Sequence, residues 1–221
     1  MELMDAIRAR HSVRQYTDQQ PEPTTLAALQ AEIDACNQQS GLHIQLVTNE
    51  PKAFDSFMAH YGKFSGVCNY IALVGKKSDT LDELCGYYGE RLVLKAQQLG
   101  LNSCWVAMTY KKIPDAFTVA KDEKLTVVLA IGYGKTQGTA RKSKPAGQVS
   151  NLTPHAPDWF KSGVEAALLA PTAMNQQKFK LICTGNKVTA KAGLGFYSKI
   201  DLGIVKYHFE IGANCDQWHW A

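Results

Sequence analysis

Long apolar runs are missing from this chain of 221 residues. No stretch approaches the roughly 20 residues that cross a bilayer, and the opening MELMDAIRARHSVR carries no apolar signal core. The expectation is a cytoplasmic protein with no membrane association. Metal and disulfide spacings are missing too. The six cysteines, at 36, 68, 85, 104, 183 and 215, form no CxxC pair and no Cys/His zinc pattern. Cys36, Cys85, Cys104 and Cys183 sit among apolar residues and read as buried free thiols in a reducing compartment. A strong charge of one sign is absent. A net charge of +4 is too weak to argue for a nucleic-acid partner, though it is compatible with a phosphate-bearing ligand.

What is present is an ordinary globular balance, 45% hydrophobic and 20% charged, with enough chain for a substantial core. Helical spacing predicts a first helix from Glu2 to about Ser12. The PEP at 21–23 breaks the chain, and Thr24 or Thr25 can cap a second helix with Leu26, Leu29, Ile33 and Cys36 on one stripe. Strands are expected at 44–48 and 69–75. A long helix follows from about Thr80 to Leu99, with Gly100 where a capping glycine belongs. Further strands are expected at 102–108 and 125–131, and a Gly/Lys/Ser-rich loop at 132–150. The Pro154–Pro157 stretch marks a boundary, giving parts 1–153 and 154–221. The second part predicts a helix over 157–170, a strand over 178–184 returning through Gly185-Asn186, and a helix over 198–213. The triplet NQQ occurs twice, at 37–39 and 175–177, each time read as following a helix and preceding an apolar strand. That order suggests a diverged internal duplication with a shorter second copy.

Four stretches could carry chemistry. RARHSVR, 8–14, concentrates Arg8, Arg10 and Arg14 with His11 and Ser12. It is either a solvated basic helix end or a cluster of donors for one anion, for which planar guanidinium groups are suited. IGYGKTQGTARKSK, 131–144, has GxGxxxG spacing rather than the dinucleotide GxGxxG, and no helical pattern follows it. Arg141 and Lys142 are either a second jaw of a phosphate site or part of a flexible basic loop. GLNSCWVAM, 100–108, either fills the core or ends a strand whose backbone meets a ligand. APTAMNQQ, 170–177, is either a helix stop and polar turn or a compact corner against which a flat ligand can lie. There Pro171 fixes the exit from the helix, and Asn175 offers an acceptor and two donors.

Together these stretches resemble the FMN-dependent nitroreductase family. Arg10-His11-Ser12-Val13-Arg14 matches its Arg-x-Ser-x-Arg/Lys pattern, and Pro171-Thr172-Ala173-Met174-Asn175-Gln176-Gln177 its Pro-Ser-x-x-Asn-x-Gln motif. Gly100-Leu101-Asn102-Ser103-Cys104-Trp105 is similar to its Gly-Leu-Gly-Ser-Cys-Trp, Arg141 and Lys142 to its basic loop, and 201–210 to its Asp-x-Gly helix. One departure is large. The Pro-Ser-x-x-Asn motif lies in the first quarter of typical members, whereas here the early ACNQQ lacks the proline and the intact motif begins at Pro171. In typical homodimers that motif reaches the flavin held mainly by the other subunit. The chain therefore resembles a subgroup that carries both contributions itself, as an internal pseudo-dimer.

The resemblance implies an α+β fold, with a central mixed or antiparallel sheet flanked by helices and a truncated second copy packed on it. It implies tightly held FMN, NAD(P)H as donor, a small-molecule acceptor such as a nitroaromatic or quinone, ping-pong turnover, and no requirement for a dimer. Most of the flavin site would lie in 1–153. Arg10, His11 and Ser12 would hold the phosphate and ribityl end, and Arg14 the pyrimidine edge. Backbone at Met108 and Thr109 would approach the ring, and Arg141 and Lys142 would close on the phosphate. Pro171, Thr172, Ala173, Met174 and Asn175 would line the ring, with Asn175 as the specific hydrogen-bonding residue. No side chain is expected to act as a catalytic group, because the cofactor carries the chemistry. The alternative is a flavin-binding carrier or sensor without turnover. The C-terminal Gln217-Trp218-His219-Trp220 either covers the ligand or packs on the surface.

Overall fold

The computed structural model describes all residues, Met1–Ala221. Its helices are α1 (Leu3–Ala9), α2 (Pro23–Ser40), α3 (Phe57–Tyr61), α4 (Leu81–Gln98), α5 (Ala146–Val149), α6 (Asp158–Leu168) and α7 (Ser198–Ala213). Its strands are β1 (Gln45–Val47), β2 (Asn69–Lys76), β3 (Asn102–Val106), β4 (Glu123–Gly132), β5 (Phe179–Thr184), β6 (Lys187–Ala192) and β7 (His219–Trp220). The chain divides into two compact units, each assembled from separated segments. One comprises Ala9–Leu81 and Arg91–Ala140, the other Met1–Arg8, Asp82–Glu90 and Arg141–Ala221. The sequence boundary at 153/154 falls inside the second.

The first unit is built on a four-stranded antiparallel sheet in the order β1-β2-β4-β3. The apolar run of β2 is buried on both faces, as a strand covered on both sides requires. Tyr70, Ala72 and Val74 share one face by the twofold alternation of a strand. They join a core cluster with Phe54, Phe64, Val106, Val128 and Ala130. Helix α2 opens on Pro23, whose missing N–H costs nothing at a first helical position. Neither Thr24 nor Thr25 is the cap. Asn37 to Gln39 lie inside α2, not after it as the repeat reading requires. The Asn37 side chain holds the following turn, donating to the Ile44 carbonyl (2.9 Å) and accepting from the Ile44 N–H (2.7 Å).

The second unit carries a three-stranded sheet in the order β5-β6-β7. β5 and β6 form the expected hairpin, and β7 joins β6 in parallel. Helix α7, the helix expected over 198–213, packs against α6 and against the first half of α4. Gly203 makes the α4 contact, since a Cβ there would collide with the Glu83 carbonyl oxygen and lie 2.6 Å from the Tyr87 nitrogen. The imidazole of His208 ties the three helices, with Nε2 2.8 Å from Glu90 and Nδ1 3.1 Å from the Ala166 carbonyl. The C-terminal tryptophans pack onto this layer. Trp218 stands edge-on to Phe209 at 4.9 Å, and Trp220 donates to Glu210 (2.7 Å). Cys36, Cys85 and Cys104 are buried, but Cys183 is only half-buried, because β5 leaves its last residues open to solvent. No helix is long and apolar enough to cross a membrane.

Candidate functional site

The first helix ends at Ala9, earlier than its spacing suggests. Past it the chain pairs with distant backbone. Ser12 bridges Ser103 in parallel, Gln15 bridges Ser65, and Tyr16 bridges Gly134. Val13 N–H donates to Ser103 O at 3.0 Å, and Tyr16 N–H to Ser65 O at 2.9 Å. The buried Tyr16 hydroxyl locks the segment by donating to Val13 O at 2.8 Å. These bonds add an edge segment to β3 and change which side chains act together. On a helix Ser12 would diverge from Arg10 and Arg14. Here all three act on one buried group, the Cys104 thiol. Burial pushes that thiol up, while Arg14, a hydrogen bond with Ser12, and Arg10 pull it down.

Arg10 is 2% exposed, which makes it among the largest fully buried side chains. Arg14 is exposed, its guanidinium carbon 6.0 Å from the centre of the Phe64 ring. His11 and Ser12 are half-buried. The loop after β4 closes over them. Gly138 has φ +78°, and a Cβ there would lie 2.6 Å from His11 Cβ, so the loop rests on His11 through bare backbone. Asn102 fixes that loop, accepting from Gly134 N–H and donating to Gln137, both at 2.9 Å. In sequence Asn102 stands where the similar motif has a glycine; its role depends on a loop some 30 residues away, which no local pattern announces. Met108 and Thr109 follow β3, Met108 exposed and Thr109 half-buried.

The remaining predicted residues lie together in the second unit. Pro171, three residues past the end of α6, is buried, and Ala173–Asn175 form one 3-10 turn. Three non-glycine residues here have left-handed φ: Met174 at 51°, Asn175 at 54° and Gln177 at 45°. Such backbone is costly, and it persists where the surroundings over-determine it. The surroundings are the basic loop. Asn175 and Gln177 both donate to Lys142 O, at 2.9 and 3.0 Å. Gln177 accepts from Lys144 N–H (2.8 Å), and its own N–H donates to Thr172 Oγ (3.0 Å). Lys144 Nζ donates to Gln176 O (2.7 Å), and Arg141 donates to Leu169 O at the end of α6. Gln177 is 3% exposed and acts as an internal hub rather than a ligand contact. Asn175 also accepts from Gln177 (3.0 Å), which leaves one amide hydrogen and one lone pair for a ligand. Met174, 79% exposed, stands at the tip.

The donor set suits an anionic, flat ligand. Arg10, Ser12 and Arg14, which all act on the Cys104 thiol, supply cationic and hydroxyl donors suited to phosphate. The corner offers small residues, an exposed thioether and a carboxamide suited to a ring edge. A cavity of about 420 Å³ bounded by Leu3, Tyr207, Glu210 and Asn214 contains none of these residues.

Residues 2–213 match the family model described as "Putative TM nitroreductase". The chain belongs to this nitroreductase family. An oxidoreductase role follows from that membership. A solved structure from Thermotoga maritima, likewise described as a putative nitroreductase, aligns at a TM-score of 0.68 and 22% identity, covering 96% of this chain and 83% of the other. A second so described, from Desulfovibrio desulfuricans and in complex with FMN, aligns at 0.53 and 19%, covering 71% and 99%. An FMN-dependent nitroreductase from Clostridium difficile aligns at 0.50 and 19%, covering 62% and 90%. At these identities the solved structures speak to the fold of this nitroreductase-family chain, an α+β arrangement with an antiparallel sheet and helices. No curated protein matches it in sequence.

Proposed function

We propose that the chain is an FMN-dependent oxidoreductase of nitroreductase type, which takes hydride from NAD(P)H and reduces a nitroaromatic, quinone or related small acceptor. The observation that carries this reading is the family match across residues 2–213. The gathering of Arg10, Ser12 and Arg14 around one buried point agrees with it. Bound FMN would supply a ring that accepts a hydride and returns two electrons. The chain's own residues bind and orient. Arg10, His11 and Ser12 hold the phosphate and ribityl end. Arg14 would set a positive charge at the pyrimidine edge of the bound ring. Backbone at Met108 and Thr109 approaches the ring, and Arg141 and Lys142 close on the phosphate. Pro171, Thr172, Ala173 and Met174 line the ring, and Asn175 uses its remaining amide hydrogen and lone pair on the ring edge. The motif beginning at Pro171 is supplied in cis by a shortened second copy, so one chain holds one flavin and needs no dimer. Support for that part is the helix-to-strand order shared by α2–β1 and α6–β5. Donor and acceptor take turns at one place, which makes turnover ping-pong.

The test is paired substitution. Arg10→Ala with Arg141→Ala is expected to yield folded protein that has lost most of its bound flavin, read from the visible spectrum. Wild-type flavin content in the double variant would remove both arginines from the site. Steady-state NADH or NADPH oxidation with a quinone separates an enzyme from a flavin-binding carrier.

A further inference from the structure

Asp201 sits in the first turn of α7 and is 3% exposed. Its Oδ1 accepts from the Ala173 N–H at 2.9 Å, and its Oδ2 from the Gln176 side-chain amide at 2.7 Å. The Gln176 amide also donates to the Phe196 carbonyl at 2.7 Å. Every donor in this set meets an acceptor only if residue 201 accepts at both oxygens. A carboxylate does so, and an asparagine cannot, because its NH₂ would face either the Ala173 N–H or the Gln176 NH₂.

The two anchored points bracket the strained stretch. Ala173 precedes Met174 and Asn175, the two consecutive non-glycine residues with left-handed φ, and Gln176 follows them. Held at both ends, the backbone between has little freedom to relax. Gln177 secures the next position through the basic loop. We infer that Asp201, with Gln176, is a positioning residue: it clamps Ala173–Gln176 in the left-handed turn that presents Met174 and Asn175 to the ligand. Burial pushes the Asp201 carboxyl up to about 6, against the opposing pull of the hydrogen bonds from Gln176 and Ala173. The ligand half of this inference rests on the function proposed above.

The experiment compares Asp201→Asn and the milder Gln176→Ala with wild type. Hydrogen exchange of the peptide covering 171–177 is followed by mass spectrometry on the protein as purified, beside FMN titration of stripped protein. The account expects exchange in 171–177 to rise about tenfold in both variants while α6 and β5 keep their protection. It expects the FMN Kd to rise about tenfold as well. Wild-type exchange in both variants overturns the clamp. Raised exchange with an unchanged Kd overturns its role toward the ligand. Wild-type protein that takes up no FMN overturns the proposed function instead, and the exchange data still decide the clamp.

Discussion

Asp201 carries a second consequence at the scale of a single residue. Its folded carboxyl is raised from 3.8 to about 6, so the native state binds this proton more tightly than the unfolded chain does. The stability this contributes is full below about pH 3.8 and is lost as the pH rises through about 6. At 1.36 kcal/mol per unit, the loss amounts to on the order of 3 kcal/mol. Denaturant unfolding at pH 4 and pH 7 checks it. The difference between wild type and Asp201→Asn should shrink or change sign between those two pH values, since every other titrating group is common to both proteins. A difference that stays constant across the range would mean the carboxylate is as well solvated as in the unfolded chain. At this same scale the sequence was only partly legible. The polar character of Asn175, on which its proposed ligand role depends, is readable from its residue type. The structural work of Gln177 and Asp201 was not, because their partners lie about 25 to 35 residues away in sequence.

At the scale of elements, α4, α6 and α7 meet at one buried imidazole. The Ala166 carbonyl can only accept, so His208 Nδ1 carries a hydrogen, and the Nε2···Glu90 contact is bridged by one more. Both side chains are fully buried. His208→Ala should therefore lower the unfolding free energy by about 3–5 kcal/mol, because it takes the imidazole from a carboxylate that water cannot reach. Glu90→Gln should cost less, since its amide can still donate to Nε2. Equal losses from the two changes would contradict this hydrogen-bond assignment. Most elements were readable because apolar runs and helical stripes coincide with burial: β2, β4 and α4 lie within a few residues of their expected bounds. The end of α1 was not readable. It is set by pairing of Ser12 with Ser103, and a long-range bridge leaves no trace in local periodicity. The repeated triplet takes two different places in the fold for a related reason. Asn37 to Gln39 have the same side chains as Asn175 to Gln177, but Pro171 ends the second helix early while nothing ends the first before Gly41.

At the scale of the whole molecule, the residues proposed to hold the flavin fall into two groups. Arg10, His11, Ser12, Arg14, Met108 and Thr109 belong to one compact unit, and Arg141, Lys142 and Pro171 to Asn175 to the other. Neither unit is a continuous stretch of chain, so a linear boundary read from a proline-rich linker describes the sequence better than it describes the packing. The family was legible because its motifs are spread along nearly the full length, in agreement with a match over residues 2–213. The measurement that tests the account most directly is the flavin content of the purified protein, with the cofactor identified by mass after heat release. The account predicts one FMN per chain. One FMN per two chains would contradict the single-chain site, and a protein that neither contains FMN nor takes it up would contradict the proposed function itself.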